Sequence, residues 1–308
     1  MLNQRALIYL NEVIRRGSLR RAAAHLDVDP SALSRQIKML EESLGSKLCE
    51  RVGSGMRATQ AGLLLAQHFN TQRAQEEAVL SRLNALQGLT RGNVRIAVGE
   101  GFIADLIARP LGDFMTTFAG INVDIRMAGV NEAMSLLKDY EVDLALLYAP
   151  PVDPALYCHV ETRQPLDLIV PPNHPLGELE RPITLDDLRR WPLGLMDNPF
   201  GMRQMVNMVE HHERIHLEAR LYTNSVAVLK NFVRSGIGVT FMPELTVEDE
   251  IRRGEIVPLP MQYALMNDAR AQIVSLKGHE LSVAANTCLH HLHHGMRFFS
   301  ASAPRLLR

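Results

Sequence analysis

Residues 18–51, SLRRAAAHLDVDPSALSRQIKMLEESLGSKLCER, decide how the chain begins to fold. Ser18 can accept the free backbone N–H groups of the turn that follows it. Ala22, Ala23 and Leu26 then form a stripe of mostly small apolar side chains, so a short helix packs closely and ends near Asp27. Asp29 followed by Pro30 restarts the chain, because a carboxylate at the N-cap and a proline at the first helical position satisfy or remove orphan donors. From Pro30 onward Leu33, Ile37, Leu40 and Leu44 share one face. Ser31, Ser34, Arg35 and Lys38 share the other, and Gly45 supplies a left-handed stop. Upstream, Leu7, Leu10, Val13 and Ile14 recur at helical spacing before Gly17, predicting a helix over roughly residues 3–15. Two short helices, a tight turn and a third helix with a Ser/Arg/Lys outer face make a helix-turn-helix.

The residue types suit nucleic acid. A recognition helix in the major groove must present short hydroxyls and long cations near its N-terminal half, where the helix end also favours phosphate oxygens. After Gly45, short apolar positions flank Gly53, Ser54 and Gly55, which predicts a small hairpin or wing carrying Arg51 and Arg57. Thr59 reads as the N-cap of a long helix running to about Leu89, with Leu63, Leu64, Leu65, Phe69, Val79, Leu80, Leu83 and Leu86 as its apolar positions. This is a candidate dimerisation helix, although residues 70–77, NTQRAQEE, interrupt the seam of a regular coiled coil.

Composition agrees with this division. The chain has 308 residues, 46% hydrophobic and 22% charged, which excludes wholesale disorder and predicts about two domains. Net charge is −1, but residues 1–60 carry ten Lys/Arg against six Asp/Glu, a net of +4, and the remainder carries 23 against 28, a net of −5. A basic head on a mildly acidic body is the footprint expected if only the head meets phosphates. Cys49, Cys158 and Cys288 are too few and scattered for a disulfide framework or a paired metal motif, and suit a reducing compartment. The first residues build no uninterrupted apolar run and no later stretch approaches 18 apolar residues, so a cytoplasmic protein is expected and a membrane partner is not.

The head resembles the LysR-type transcriptional regulators, whose pattern there is approximately S-x-x-x-A-A-x-x-L-x-V-x-x-x-A-x-S-x-Q-I-x-x-L-E-x-x-L-G-x-x-L-F-x-R. Ser18, Ala22, Ala23, Leu26, Val28, Ala32, Ser34, Gln36, Ile37, Leu40, Glu41, Leu44, Gly45, Leu48 and Arg51 stand at those places. The resemblance continues through residues 170–188 and 233–260, which look like the second effector subdomain of the family, and covers essentially the whole chain. Two positions depart from it. Pro30 and Ser31 replace the usual Gln-Pro, so the base contact assigned to that Gln is not carried over. Cys49 replaces a Phe before the wing, which reads as adjusted packing rather than a redox switch.

After Arg91-Gly92 the composition changes. Residues 94–101 alternate into a glycine turn, a helix is expected over residues 104–118, and residues 123–129, a helix from Asn131 to Lys138 and residues 142–150 repeat strand, helix, strand. This is βαβ logic and implies parallel sheets covered on both faces. A second unit begins at about Leu166, with strands expected at residues 166–172, 192–199, 216–223 and 238–243 and helices at 202–214 and 226–235. Residues 271–278 and a closing helix over 282–297 return to the first lobe. Two α/β lobes joined by crossings give a clamshell like the periplasmic binding proteins, which the family is expected to share.

The expected fold is therefore α/β with an all-α N-terminal winged helix-turn-helix and a two-lobed periplasmic-binding-protein-like effector domain. Its divisions would be 1–59 for DNA binding, 60–92 for the linker or dimerisation helix, and 93–308 for the effector, with lobe one at 93–163 and 269–308 and lobe two at 164–268.

Ligands in such sheets bind at strand C-terminal ends, so the cleft is the default site. Gly99, Glu100, Gly101 and Phe102 are nominated because two glycines let backbone N–H groups turn toward a ligand beside a helix start. Gly129, Val130 and Asn131 form a second loop, and Tyr148 ends a strand. Across the cleft stand Asp197, Asn198, Phe200, Gly201 and Met202, then the turn from Thr223 to Ser225. The family's effector loops fall at the same places. Glu100 either favours a cationic or donor-bearing effector or stabilises the dipole of its own helix.

Other motifs point nowhere further. His290, His291, His293 and His294 allow i, i+3 and i+4 pairs, but a solvated helix end is the expectation because no shell is completed. His211-His212 and His174 need no catalytic role. Gly236-Ile237-Gly238 lacks a dinucleotide fingerprint and reads as a helix-to-strand turn. No nucleophile elbow, zinc-protease pair or Walker lysine is present, so neither catalysis nor a cofactor is indicated.

The resemblance implies that the protein binds double-stranded promoter DNA under control of a small-molecule effector, as a homo-oligomer, a tetramer by family expectation, with RNA polymerase a further candidate partner. Ser34, Arg35 and Lys38 would meet base edges or nearby phosphates, Ser31 on the same face is counted with them as DNA-binding, and Ser18, Arg51 and Arg57 would meet the backbone. The alternatives are a small-metabolite enzyme or a solute-binding protein using the same cleft, and a purely architectural DNA binder.

Overall fold

A computed structural model describes residues 2–53, 55–86 and 91–300. The chain separates into two compact units, Met1–Val79 and Leu80–Arg308.

In the first unit, α1 (Gln4–Arg16) is capped by the Asn3 side chain and ends at Gly17 in the left-handed region. The helix α2 (Leu19–His25) starts at Ser18, whose hydroxyl accepts from the Arg21 N–H. The chain then turns through Asp27, at φ 51°, into α3 (Pro30–Leu44). Two short strands, β1 (Cys49–Val52) and β2 (Gly55–Ala58), pair antiparallel as the wing; Ser54 at its turn lies outside the described residues. Leu7, Leu10, Val13, Ala22, Ala23, Leu33, Ile37, Leu40 and Leu48 form the core. Leu44 does not join it: at 42% exposed it lies past the end of that face, where Gly45 turns the chain away.

Glu41 ties the end of α3 to the wing. Its Oε1 accepts from the Leu48 N–H at 2.8 Å and the Cys49 N–H at 3.3 Å, and Lys47 Nζ reaches Oε2 at 2.9 Å. Burial alone would raise this carboxyl, but the Lys47 bond and the two backbone donors outweigh it and hold Glu41 below the ordinary glutamate range. Cys49 is buried in the same core, and burial pushes its thiol up to about 11, as expected of a packing residue.

The helix α4 (Gln60–Leu86) begins where Thr59 Oγ1 accepts from the Gly62 N–H. Residue 62 must be glycine, since a Cβ there would collide with the Leu48 carbonyl oxygen. Phe69 is buried in the head's core, whereas Leu63, Leu64, Val79, Leu80 and Leu83 are exposed. The expected end of this helix near Leu89 lies outside the described residues.

The second unit holds two five-stranded sheets. Chain order runs β3 (Gly92–Val98), α5 (Ile103–Ala108), α6 (Pro110–Thr117), β4 (Ile121–Met127), α7 (Val130–Lys138), β5 (Leu144–Tyr148) and β6 (Leu156–Arg163). It continues through β7 (Asp167–Val170), β8 (Leu193–Met196), α8 (Gly201–Glu213), β9 (Leu221–Thr223), α9 (Val226–Arg234), β10 (Val239–Met242), α10 (Glu248–Arg252) and β11 (Val257–Leu259). Last come α11 (Ala264–Asn267), β12 (Arg270–Leu276) and α12 (Val283–Gly295). One sheet has the order β4-β3-β5-β12-β6, the other β11-β7-β10-β8-β9.

Four expectations change. The sheets are mixed, not parallel: β12 runs antiparallel to β5 and β6, and β7 antiparallel to β10 and β11, so each sheet holds one strand reversed against its neighbours. The helix expected over 104–118 is two helices, broken at Arg109 (φ −147°, ψ −47°), since Pro110 bars the preceding residue from the helical region. The strand expected over 216–223 shortens to β9, because Leu217 gives its N–H to Glu210 Oε1 at 2.7 Å and is drawn onto α8 instead. Finally, β6 and β11 were not anticipated. Gly236, at φ 66°, makes the turn between α9 and β10 as read from the sequence.

Candidate DNA-reading face and effector cleft

The outer face of α3 is presented by its first turns. Asp29 Oδ1 accepts from the Ser31 N–H at 2.7 Å and the Ala32 N–H at 3.4 Å, so the helix is fixed at its first turn. Hydrogen bonds from the Ser31 side chain and from those backbone groups, with the nearby Arg35 charge, hold the Asp29 carboxyl below its usual range. Ser31 is therefore engaged in its own cap. Ser34, Arg35 and Lys38 are exposed, with Lys38 at 3.7 Å from Glu42. Ser18 is half-buried and caps α2. Arg51 is exposed on the wing, and Arg57 makes two bonds to Glu50 Oε1, at 2.7 and 3.0 Å, across the hairpin.

The cleft lies between the two sheets of the second unit, at strand ends. Its walls come from Gly99, Glu100, Gly101, Phe102, Val130, Tyr148, Phe200, Gly201 and Met202, all of them named from the sequence. Ala128, Leu146, Leu147, Met196, Val226, Pro243, Thr246 and Phe298 also line it. The sequence carried a signal for some of these, as residues flanking named loops, but none for Phe298 or Thr246, which arrive from distant parts of the chain. Phe102 packs its ring 4.6 Å from Phe298 and 5.9 Å from Phe299, which anchors the loop bearing Glu100. The Tyr148 hydroxyl donates to the Gln164 carbonyl at 2.9 Å, and burial raises it well above the usual phenol range.

The remaining named residues do not line this space. Gly129 caps α7, while Asn131 is exposed on its first turn. Asp197 donates its N–H to the Thr223 carbonyl at 3.0 Å, and Asn198 accepts from Asn207 at 3.1 Å. Thr223 Oγ1 accepts from the Ser225 N–H at 3.1 Å.

The two lobes are bonded directly across this cleft. Val130 donates its N–H to the Pro199 carbonyl at 2.9 Å, and Thr246 Oγ1 donates to the Gly101 carbonyl at 3.4 Å. Gly201 lies against the Tyr148 carbonyl oxygen so closely that any Cβ would overlap it. Glu100 reaches over: Oε2 accepts from the Val226 N–H at 2.7 Å, and Oε1 from the Ser225 hydroxyl at 3.1 Å and the Ala227 N–H at 3.4 Å. Glu100 thus faces the start of α9, a helix of the opposite lobe, rather than serving its own helix. The space left between the bonded lobes is about 30 Å³.

His291 packs 5.5 Å from the Phe114 ring, His293 stacks on His294, and His174 accepts from the Leu176 N–H while lying 4.2 Å from Trp191. His212 contacts Glu213 at 2.9 Å. Among the described residues no three His, Cys, Asp or Glu side chains gather as metal ligands, and no helix is long and apolar enough to cross a membrane.

A winged helix-turn-helix with a cationic outer face, followed by a two-lobed α/β unit with a cleft at its strand ends, defines a ligand-responsive DNA-binding regulator. Residues 4–63 match the family model for the bacterial regulatory helix-turn-helix protein, lysR family, and residues 87–297 match the LysR substrate binding domain. The chain belongs to the LysR family of transcriptional regulators. It is 28% identical over 286 residues to the RuBisCO operon transcriptional regulator of Allochromatium vinosum, covering 91% of this chain and 92% of that one. It is 29% identical over 262 residues to the HTH-type transcriptional regulator CbbR of Sinorhizobium medicae, covering 83% and 81%. Among solved structures, a full-length OxyR variant from Pseudomonas aeruginosa shares the fold at a TM-score of 0.71 and 18% identity, over 96% of this chain and 95% of that one. The Synechocystis CcmR regulatory domain, solved in complex with 2-PG, matches at a TM-score of 0.59 and 24% identity, over 67% and 98%.

Proposed function

We propose that this regulator reads promoter DNA with residues 1–59, pairs with further copies through residues 60–92, and adjusts its grip through a small molecule acting on the cleft of residues 93–308. Ser34, Arg35 and Lys38 meet base edges or adjacent phosphates. Ser18, Arg51 and Arg57 meet the backbone, with Arg57 exchanging Glu50 for a phosphate, and Ser31 holds the start of α3 in register. The observation that carries this reading is the capped, outward-facing Ser34/Arg35/Lys38 row of α3 on a head whose net charge is +4.

The exposed leucines at both ends of α4 support self-association, which the family expectation extends to a tetramer. RNA polymerase is a further partner of the assembled form, the compartment is the cytoplasm, and no catalytic step is assigned to the cleft.

The test is retention of promoter fragments by the full chain in a gel shift across a salt series. Binding that weakens steeply with salt, and shifts when a candidate metabolite is added, is the expected result. Turnover of a metabolite without any DNA retention overturns the proposal.

A further inference from the structure

The start of α9 is a place where backbone donors of one lobe look into the cleft, and in this chain the donors are already taken. Glu100 spends both carboxylate oxygens on Val226, Ala227 and Ser225, three donors of the opposite lobe. Its own loop cannot drift, because Phe102, two residues on, is buried between Phe298 and Phe299. Further cross-lobe bonds, from Val130 to Pro199, from Thr246 to Gly101 and from Arg297 to Glu248, and the seating of Gly201 on Tyr148, all act in the same closed arrangement. A carboxylate there is favoured both by charge-assisted hydrogen bonds and by the positive end of the helix.

We propose that Glu100 is a tethered internal ligand: it straps the two lobes shut and bars the carboxylate of any outside molecule from the α9 start. The inference rests on the regulator reading above and concerns which molecules the cleft can answer. A free carboxylate gains nothing at this place in the native chain, because a covalently held one is there at far higher effective concentration. Specificity against small carboxylates is thereby written into one side chain.

Removing the strap should create the response that the native chain lacks. Acetate is the probe, compared with chloride at equal ionic strength, using the full chain and its thermal unfolding midpoint. The native chain should show the same Tm in both salts. E100A should lose about 5 °C in chloride and recover about half of that in acetate. E100Q, whose amide keeps the shape but supplies no second acceptor, should lose stability without acetate recovery. Adding S225A to E100A should weaken the recovery by removing one donor.

An E100A midpoint within about 1 °C of native, or acetate no better than chloride, overturns the proposal. Should E100A fail to fold, an unchanged E100Q midpoint does the same. Native protein that retains no promoter DNA would instead sink the regulator reading and leave this measurement standing.

Discussion

Helices α3 and α9 begin with the same chemistry delivered from different distances. At α3 the carboxylate is Asp29, the residue before the helix, giving bonds of 2.7 and 3.4 Å to the first N–H groups. At α9 it is Glu100, 126 positions before Val226; it accepts bonds of 2.7 and 3.4 Å from the N–H groups of the first two helical residues, one position earlier than at α3, where Pro30 has no N–H to give. A local cap can only start a helix. A remote cap also joins whatever carries the carboxylate to whatever carries the helix, so the same bonds become a clasp between two lobes.

The comparison can be broken most severely at Gly201. G201A forces a Cβ into the Tyr148 carbonyl, a backbone atom that cannot step aside, and should cost about 3 kcal/mol by denaturant unfolding of the body. An unchanged transition would mean that lobe contact is not a condition of stability. Next comes E41A, which orphans the Leu48 N–H in the head's core and should cost about 2 kcal/mol, a loss read in the unfolding of the same chain.

Glu41 also predicts an acid effect. Its folded pKa lies below the ordinary value, so its contribution is complete above the unfolded pKa of about 4.3 and is lost as pH falls through the lower folded one. Urea midpoints of native and E41Q proteins should therefore converge on acidification below that value.

R35A should weaken promoter binding by about tenfold with Tm unchanged, because the side chain is exposed and supports no packing. The smallest effect belongs to D29A. Loss of the local cap should cost about threefold in DNA affinity, through fraying of the first turn of α3, and should leave the Tm response of the body to acetate as it is. An equal effect of D29A and E100A on that response would erase the distinction between the two caps.

The same distinction explains what could be read from the sequence. Asp29-Pro30, Ser18, Thr59 and the stops at Gly17 and Gly45 signal through immediate neighbours, so the head's helices and its outward row were legible almost residue by residue. In the cleft, Gly99 to Phe102, Tyr148 and Phe200 to Met202 were legible as loops at strand ends. The role of Glu100 was not, since nothing beside it in the chain indicates Ser225, Val226 or Ala227. Phe298 and Thr246 escaped for the same reason. The mixed direction of the sheets was hidden too, because residues 271–278 look alike whether β12 runs with its neighbours or against them.

The position of β12 has a consequence for the newborn chain. The sheet β7 to β11 is made from one contiguous stretch, but β12 is the fourth strand of a sheet whose other members end at Arg163, and it inserts between β5 and β6. At ribosomal speeds of about 5–20 residues per second, the strand Leu144–Tyr148 waits on the order of ten seconds for its missing neighbour. The lobe begun first is finished last, and in that interval its bare edge is the part of the molecule most in need of a chaperone.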